Sequence, residues 1–333
     1  MAPRRWKRCR MVRKAISFEW QCMGKHILSG DWGTSTFRLR VVDLESGAVL
    51  AETTKGQGIA ATYADWLTAE LPASERIPFY RAVLQSAVEK LPAELVAGLT
   101  IYLSGMASSS IGMKTLDYGA VPFDLSSDVL PTEKIPADHI CKHDILLVSG
   151  LKTSQDVMRG EETILLGSQL VMDANCLVIF PGTHSKHVWV KQNKLVDFST
   201  FMTGEFFDLL SNKSILSTGL EKTDLPGFED IFEQGVMAGV KGNLLNTAFH
   251  SRTNQLFNKM SPAANYQYLS GILLGTELKQ VPAATEHILL ISGHAVSGSY
   301  KLALGAVGFN SIIIRDADQS LIDGHRLMAT NLK

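Results

Sequence analysis

The alternation of apolar and polar residues predicts short strands joined by tight turns near the start of the chain. An apolar run at 26–30 leads into a Gly-Thr-Ser turn, and apolar side chains then recur at every second position in "TFRLRVVDL", residues 36–44. A period of two is typical of a half-buried strand. The turn "ESG" and the run "AVLAETT", residues 48–54, predict a third, antiparallel strand.

The second half of the chain repeats this pattern. "CLVIFPGTHSKHVWVKQNKLVDFSTF", residues 176–201, is again an apolar run, a Gly-Thr turn, an alternating strand, a polar turn and another strand. Gly182-Thr183 follows Gly33-Thr34 by 149 residues, at the corresponding point of the pattern. Because a repeated pattern indicates a repeated structural unit, we predict two like-folded α/β domains that face each other.

Helical and strand segments separate the two units. Residues 80–91 carry apolar side chains on one helical face, and 99–105 and 144–150 are predicted strands. Residues 156–173 have helical character, with Glu161 and Glu162 near the start. Carboxylates at a helix start are favoured by the helix dipole, which is a purely structural explanation. Alternatively, one of them accepts a proton from an acceptor hydroxyl in a cleft between the domains.

Composition and charge narrow the class of protein. The 333 residues are 45% apolar and carry a net charge of -1, which gives no electrostatic case for a nucleic-acid partner. No apolar stretch reaches the roughly 18 residues of a membrane span, so we expect no membrane partner. The four cysteines have neither metal-ligand nor disulfide-framework spacing, which favours a reducing cytoplasm.

Residues 1–22 differ from the rest of the chain. They hold seven of the 32 basic residues and one of the 33 acidic ones, so the body of the protein is mildly acidic. An Arg-rich, acid-poor leader is compatible with an organellar transit peptide. The simpler interpretation is a translation start at Met23, just before the first strand.

The two Gly-Thr turns predict a phosphate site. A tight Gly turn exposes successive backbone N–H groups, and neighbouring hydroxyls add donors, so that each turn forms a concave anion site. Two such turns on opposed domains would bind the β- and γ-phosphates of one nucleotide, with Asp31 holding Mg²⁺ through water. Each turn taken alone is equally compatible with an ordinary hairpin. No P-loop pattern occurs in the chain.

A third glycine motif is "HILLISGHAVSGSY", residues 287–300. A predicted strand ends at Ser292-Gly293, and a helix is predicted to begin at 295–297. The start of such a helix allows an adenosine or a phosphate to approach the backbone closely. Glycine after a strand is common, so the motif indicates a nucleotide site only in combination with the two Gly-Thr turns.

Six short motifs together resemble the 2-dehydro-3-deoxygalactonokinase family of the sugar kinase/Hsp70/actin superfamily. They are "DWGTSTFR", "SGMASSSIGMK", "VMRGEET", "FPGTHSKHVWV", "FMTGEFFDLL" and "YLSGILLG". The resemblance implies an α/β fold of two ribonuclease-H-like domains with an ATP cleft between them. We therefore divide the chain into a basic extension (1–22), a first domain with a connecting helix (23–170) and a second domain (171–333) whose last helix returns to the first.

The resemblance also implies roles for individual residues. Glu161 lies where related sugar kinases carry the catalytic acid, often Asp, and Glu162 and Asp156 remain alternatives. His187 stands where the family is expected to have an aromatic residue, usually Trp. The implied nucleotide contacts are Asp31, Gly33, Thr34 and Ser35 in the first turn, Gly182, Thr183, His184 and Lys186 in the second, Ser292 and Gly293 in the adenosine motif, and Asp318 in the closing connector.

The implied reaction is the transfer of phosphate from Mg²⁺-bound ATP to 2-dehydro-3-deoxy-D-galactonate, which gives the 6-phosphate and ADP. The acceptor is a carboxylate, so its site needs a cation, and the candidates are Arg159 and Arg38. Arg159 is also a candidate catalytic residue. Ser108, Ser109 and Gly112 are candidates for contact with the sugar chain. Alternatives are an outward-facing Arg38, a salt bridge between Arg159 and Glu162, and a merely flexible serine loop.

Two other functions fit parts of the pattern. Specificity depends on loops, so a kinase for another sugar or sugar acid is the main alternative. A nucleotide-switched assembly or chaperone protein would share the phosphate turns, but it would not need a carboxylate in the connecting segment. The expected partners are ATP and a small sugar acid, and a homodimer is compatible with the sequence.

Overall fold

A computed structural model describes residues 25–168 and 175–331 of the chain. The basic extension 1–22 and the end of the predicted helix 156–173, with Leu170 and Val171, lie outside the described residues. Within the described ranges, no helix is long and apolar enough to cross a membrane.

The first domain is built on a mixed sheet, with a small three-stranded sheet beside it. In spatial order the main sheet contains β3 (Val49–Lys55), β2 (Phe37–Asp43), β1 (His26–Trp32), β4 (Ile101–Gly105), β8 (Ile145–Val148) and β7 (Thr132–Ile135). The small sheet contains β10 (Val157–Met158), β9 (Leu151–Lys152) and β5 (Gly119–Ala120).

The second domain contains another mixed sheet with the same arrangement at its centre. In spatial order its strands are β15 (Ile312–Asp316), β14 (Ile288–Ser292), β11 (Cys176–Phe180), β12 (Ser185–Lys191), β13 (Lys194–Phe201) and β6 (Phe123–Asp124). The short strand β6 comes from the first half of the sequence and pairs with β13.

Helices cover the faces of both sheets. In chain order they are α1 (Ile59–Thr68), α2 (Arg76–Val88), α3 (Ala93–Val96), α4 (Glu161–Gly167), α5 (Thr203–Lys213), α6 (Glu229–Lys241), α7 (Leu244–Thr247), α8 (His250–Leu256), α9 (Pro262–Leu278), α10 (His294–Ala306) and α11 (Ala317–Asn331).

Four strands of each sheet share one topology. β1, β2 and β3 are antiparallel neighbours, and β4 lies parallel to β1 on its other side. β11, β12 and β13 are likewise antiparallel, and β14 lies parallel to β11. The prediction of an α/β protein with two ribonuclease-H-like domains is therefore confirmed. The division of the chain at 170/171 stays a prediction.

Both cores form where the strand pattern predicts apolar faces. In the first domain Trp32, Phe37 and Tyr80 are fully buried, and the rings of Trp32 and Phe37 lie 4.6 Å apart between centroids. In the second domain Leu177, Ile179 and Leu290 pack beneath the helices. Burial at about 25 cal/mol per Å² of apolar surface is the main favourable term that holds each sheet to its helices.

Helices α4 and α11 cross at very short distance because two glycines face each other's backbone. A Cβ at Gly167 would lie 1.9 Å from the carbonyl oxygen of Ser320, and one at Gly324 would lie 2.2 Å from that of Thr163. Any larger residue at either position would push the helices apart. The crossing therefore fixes the start of α4 relative to the first sheet.

Candidate active site

A cleft of about 450 Å³ opens between the two domains, at the ends of β1 and β11. Both predicted Gly-Thr turns line it, together with the start of α4 and the end of β14. The cleft thus brings together most of the predicted site residues: Asp31, Gly33, Thr34, Arg159, Glu161, Gly182, Thr183, His184, Lys186, Ser292 and Gly293.

The first turn, residues 33–36, is closed by its own backbone. The N–H of Gly33 donates to the carbonyl of Thr36 at 2.9 Å. Helix α1 begins directly on this turn, so that the N–H groups of Ile59 and Ala60 donate to the carbonyls of Gly33 (2.9 Å) and Thr34 (3.1 Å). Because those bonds use the carbonyl oxygens, the turn offers a ligand its hydroxyls and its N–H groups other than that of Gly33.

The second turn, residues 182–184, lies against the start of α5. A Cβ at Gly204 would lie 2.6 Å from the carbonyl oxygen of Gly182, so this close approach requires glycine. The backbone N–H of Glu205 donates to the carbonyl of Thr183 at 3.1 Å. The carboxylate of Glu205 also pairs with the His184 imidazole, with 2.5 Å between Oε2 and Nε2.

Glu161 is presented to the cleft by an unusual backbone at the start of α4. Gly160 has φ +105° and approaches Gly105, which has φ +92°. Residues other than glycine rarely adopt such positive φ angles. The Glu161 carboxylate accepts a hydrogen bond from the backbone N–H of Arg159 (3.1 Å) and lies 3.6 Å from Nζ of Lys186, a residue of the second domain.

Burial raises the pKa of two carboxyl groups near the cleft. The pKa of Asp31 rises to about 6, mainly through burial and then through the nearby Asp318, against the opposing effect of Arg40 and Arg38. The pKa of Glu162 rises to about 8, through burial and the neighbouring Glu161. Glu162 is therefore mostly protonated near neutral pH, and its two oxygens accept from the backbone N–H of Gly160 at 2.8 and 2.9 Å.

Arg159 is held at the cleft wall by neutral groups. Its Nε donates to Oη of Tyr118 (3.0 Å), its Nη1 to Oγ of Ser108 (2.6 Å) and its Nη2 to the carbonyl of Leu116 (3.1 Å). The guanidinium also lies over the Tyr118 ring, 4.0 Å from the centroid. Among the described residues no carboxylate lies within ion-pair distance of it, so the alternative of a salt bridge with Glu162 is wrong.

Several predicted residues lie outside the cleft lining. Arg38 pairs with Asp318, with 2.5 Å between Nη1 and Oδ2, and this pair joins β2 to the start of α11. Ser108 reaches the site only through its bond with Arg159. The remaining three have backbone roles or buried side chains: Ser35 accepts from the N–H of Gly58, Ser109 is 5% exposed, and Gly112 packs on the carbonyls of Met106 and Ala107.

The third glycine motif forms the far wall of the cleft. β14 ends at Ser292, and α10 begins at His294, one residue before the predicted start. Ser292 is 4% exposed, and within the described part of the chain its Oγ has no hydrogen-bond partner. A buried hydroxyl without a partner is costly, so a ligand that supplies one would be stabilised there.

Sequence reasoning missed three contributors to this site. Tyr118 carries no motif of its own and is recognised only by its contact with Arg159. Gly204 and Glu205 stand in the quoted motif "FMTGEFFDLL", so the spacing between that motif and the second turn could have indicated their contact.

Two opposed Gly-Thr turns and a carboxylate at a helix start, all on one cleft, define a phosphotransferase of the two-domain sugar-kinase class. The sequence pattern of the 2-keto-3-deoxy-galactonokinase family matches residues 31–327, and the chain belongs to that family. This confirms both the family resemblance and the prediction of a 2-dehydro-3-deoxygalactonokinase.

Individual relatives agree with this assignment. The chain is 32% identical over 305 residues to "Probable 2-dehydro-3-deoxygalactonokinase DgoK1" of Rhizobium meliloti, and the match covers 88% of this chain and 93% of that protein. It is 30% identical over 236 residues to the 2-dehydro-3-deoxygalactonokinase of Escherichia coli, and the match covers 66% of this chain and 78% of that protein. A crystal structure of a Sinorhizobium meliloti protein of the same description superposes with a TM-score of 0.79 at 30% identity. The superposition covers 92% of this chain and 96% of that protein.

Proposed function

We propose that the protein transfers the γ-phosphoryl group of ATP to the 6-hydroxyl of 2-dehydro-3-deoxy-D-galactonate, with Glu161 as the general base. The observation that carries this proposal is the position of Glu161, which shares one cleft with both Gly-Thr turns. Phosphoryl transfer needs little from a protein beyond positioning, charge neutralisation and one base. The cleft supplies groups for each of these tasks.

The nucleotide is proposed to lie across the cleft from the turns to the end of β14. The two turns and Lys186 line the space between the domains, and the N–H groups of such turns together with an ammonium group suit a polyphosphate. The buried Oγ of Ser292 would find its missing partner on the nucleoside. We therefore propose that the adenosine of ATP lies next to Gly293, at the start of α10.

The donor set at the first turn fits Mg²⁺. This ion keeps several waters and is typically held by one or two carboxylates together with substrate phosphates. Asp31 is a single carboxylate beside the proposed phosphate site, and its raised pKa reports an environment in which a cation would favour the ionised form. When bound, the metal would neutralise charge on the transferred phosphoryl group.

Glu161 is favoured as the base over the two alternatives left open by the sequence. Glu162 is buried, largely protonated at neutral pH and bonded to the Gly160 backbone. Asp156 accepts from the N–H and the hydroxyl of Thr200, at 2.6 and 2.7 Å. Glu161 alone of the three lines the cleft, where its carboxylate lies 3.6 Å from Nζ of Lys186.

Arg159 is the proposed anchor for the acceptor's carboxylate. Its charge faces the cleft without a carboxylate partner in the described ranges, whereas the charge of Arg38 is neutralised by Asp318. Neutral oxygen atoms hold the guanidinium in place and leave its positive charge without a counter-ion, so that it is pre-organised to attract a carboxylate. Tyr118, stacked on Arg159, would define the adjacent wall of the acceptor site.

The test combines an acceptor panel with variants at the three acidic positions. ADP release should require a 2-keto-3-deoxy sugar acid, and Glu161→Gln should lower kcat by roughly 10² or more while ADP affinity stays within about twofold of wild type. Asp156→Asn serves as the matched control and should retain most of the activity. Full activity in Glu161→Gln would refute the base assignment, and equal turnover without acceptor would favour a nucleotide switch.

A further inference from the structure

A buried carboxylate lies directly behind the second Gly-Thr turn. Glu277, on α9, is 2% exposed, and its Oε1 accepts from Oγ of Ser185 and from Nε2 of His187, both at 2.9 Å. Its Oε2 accepts from Oη of Tyr300 at 2.9 Å and from Oγ1 of Thr203 at 2.5 Å. Four side-chain donors thus converge on one carboxylate.

The four donors come from three elements that shape the nucleotide side of the cleft. Ser185 and His187 are on β12, which begins immediately after the second turn. Thr203 is the first residue of α5, the helix that packs its start on that turn. Tyr300 is on α10, the helix that begins beside Ser292 and Gly293.

The side chains around Glu277 can donate to an ionised carboxylate, and two of them, Ser185 and Tyr300, also lie 2.9 Å apart between their hydroxyl oxygens. An ionised carboxylate only accepts hydrogen bonds, and each of the three hydroxyls and the imidazole N–H can donate one. Burial and the adjacent Glu277 raise the pKa of Tyr300 well above its ordinary value, so its hydroxyl stays protonated and can donate. The network also explains His187, which the family pattern suggested should be an aromatic residue: its ring packs against Phe201 at 4.5 Å and also donates to Glu277.

We propose that Glu277 is a positioning residue for the nucleotide, which fixes the second phosphate turn and the start of α10 at one separation. This inference rests on the proposed binding of ATP in the cleft. One side chain holds the strand that leaves the phosphate turn, the helix that packs on it and the helix at the adenosine end. Its loss would loosen both ends of the nucleotide site together and leave the acceptor site, built on the first domain and α4, unchanged.

A purely structural role for Glu277 would give a different result, and the same helix supplies the control. Asn265 is also on α9 and is 1% exposed, and its Nδ2 donates to the carbonyls of Gly219 (3.1 Å) and Ser251 (2.8 Å). It lies twelve residues before Glu277, about 18 Å along the helix axis. Asn265→Ala therefore removes a comparable buried network from the same helix at a distance from the cleft.

The experiment compares ADP affinity, the KM values for ATP and for the sugar acid, and thermal stability in wild type, Glu277→Gln and Asn265→Ala. Glu277→Gln should raise the Kd for ADP and the KM for ATP by about tenfold, with the acceptor KM within about twofold, because the introduced amide NH₂ opposes donors. Asn265→Ala should lower the melting temperature similarly with little change in either nucleotide constant. Unchanged ADP affinity in Glu277→Gln, or an equal loss in Asn265→Ala, would overturn the inference.

A milder variant covers the case in which Glu277→Gln does not fold. Tyr300→Phe removes one hydroxyl and should raise the Kd for ADP by about threefold, in the same direction and again without moving the acceptor KM. Wild-type affinity in Tyr300→Phe would then count against the inference. A wild-type protein that does not bind ADP would instead contradict the proposed function itself.

Discussion

The two Gly-Thr turns occupy equivalent places in their domains but are held in different ways. Backbone bonds from the start of α1 hold the first turn: the N–H groups of Gly58, Ile59 and Ala60 donate to consecutive residues of the turn at 2.9 to 3.1 Å. Side chains hold much of the second, through the His184–Glu205 pair and the bond from Ser185 to Glu277. Equivalent topology therefore does not require equivalent support.

The turns also differ in the residue two positions before the glycine. In the first domain it is Asp31, whose carboxyl group lies in the cleft with a raised pKa. In the second it is Phe180, which also borders the cleft but is 5% exposed, packs in the core and carries no charge. The likeness of the two domains explains two phosphate-facing turns, and the difference assigns the proposed metal to only one of them.

The largest expected effect is the loss of this acid. Asp31→Asn keeps the shape of the side chain but removes the charge that would hold Mg²⁺, so we expect kcat to fall by about 10³-fold or more, since a metal contributes several kcal/mol to the stabilisation of transition-state charge. Steady-state kinetics over a range of Mg²⁺ concentrations would measure it. Asp43→Asn, at the opposite end of the β1–β2 hairpin, is the control and should stay near wild-type activity. Near-normal turnover in Asp31→Asn would assign the metal elsewhere.

An intermediate effect is expected from the glycines that bring a helix onto each turn. A Cβ at Gly58 would lie 2.4 Å from the carbonyl oxygen of Thr34, and one at Gly204 would lie 2.6 Å from that of Gly182. Gly58→Ala and Gly204→Ala should each displace a turn and weaken ADP binding by roughly 10- to 100-fold, because positioning errors of about 1 Å have effects of that order.

Matched glycines give the control for this experiment. Nothing lies within 4 Å of a Cβ built at Gly56 or Gly298, so alanine at these positions should leave ADP affinity unchanged. If Gly204→Ala weakened binding and Gly58→Ala did not, the second turn alone would set the affinity. Calorimetric titration of the four variants with ADP distinguishes these outcomes.

The parts of the molecule that sequence predicted are the local ones. Each strand–turn–strand unit spans fewer than about 30 residues, so its period and its glycine are visible within one window of sequence. The same holds for Glu161, which follows a glycine at the start of a helix. The mutual position of the two turns was predicted from the repeat, and the cleft confirms that they face the same space.

The parts that sequence did not predict depend on distant pairs. Arg38 resembles a free cation in the sequence, but its partner Asp318 lies 280 residues away. The Glu277 network joins residues up to 115 positions apart, Ser185 and Tyr300, and has no repeating pattern. β6 adds residues from the first half of the chain to the second sheet. Such contacts are fixed by tertiary packing, so local periodicity carries no signal for them.

The smallest expected effect concerns the stability cost of Asp31 in the ligand-free protein. Its pKa of about 6 in the folded state lies above the ordinary 3.8, mainly because of burial and Asp318, so the folded protein holds a proton that the unfolded chain has released. Relative to Asp31→Asn, wild type should be most stable below about pH 4 and should lose about 3 kcal/mol as the pH rises through 6.

Denaturant unfolding of wild type and Asp31→Asn between pH 4 and 8, without nucleotide, would measure this difference. Asp31→Asn should be the more stable protein at pH 8, and the advantage should shrink as the pH falls, because the carboxyl of wild type becomes neutral as well. Adding Mg²⁺ and ADP should reverse the order at pH 8, since a bound cation favours the ionised carboxylate of wild type. A difference that does not change with pH would mean that Asp31 titrates normally. The asymmetry between the two turns would then lie in how they are held and not in the cost of burying an acid beside the first.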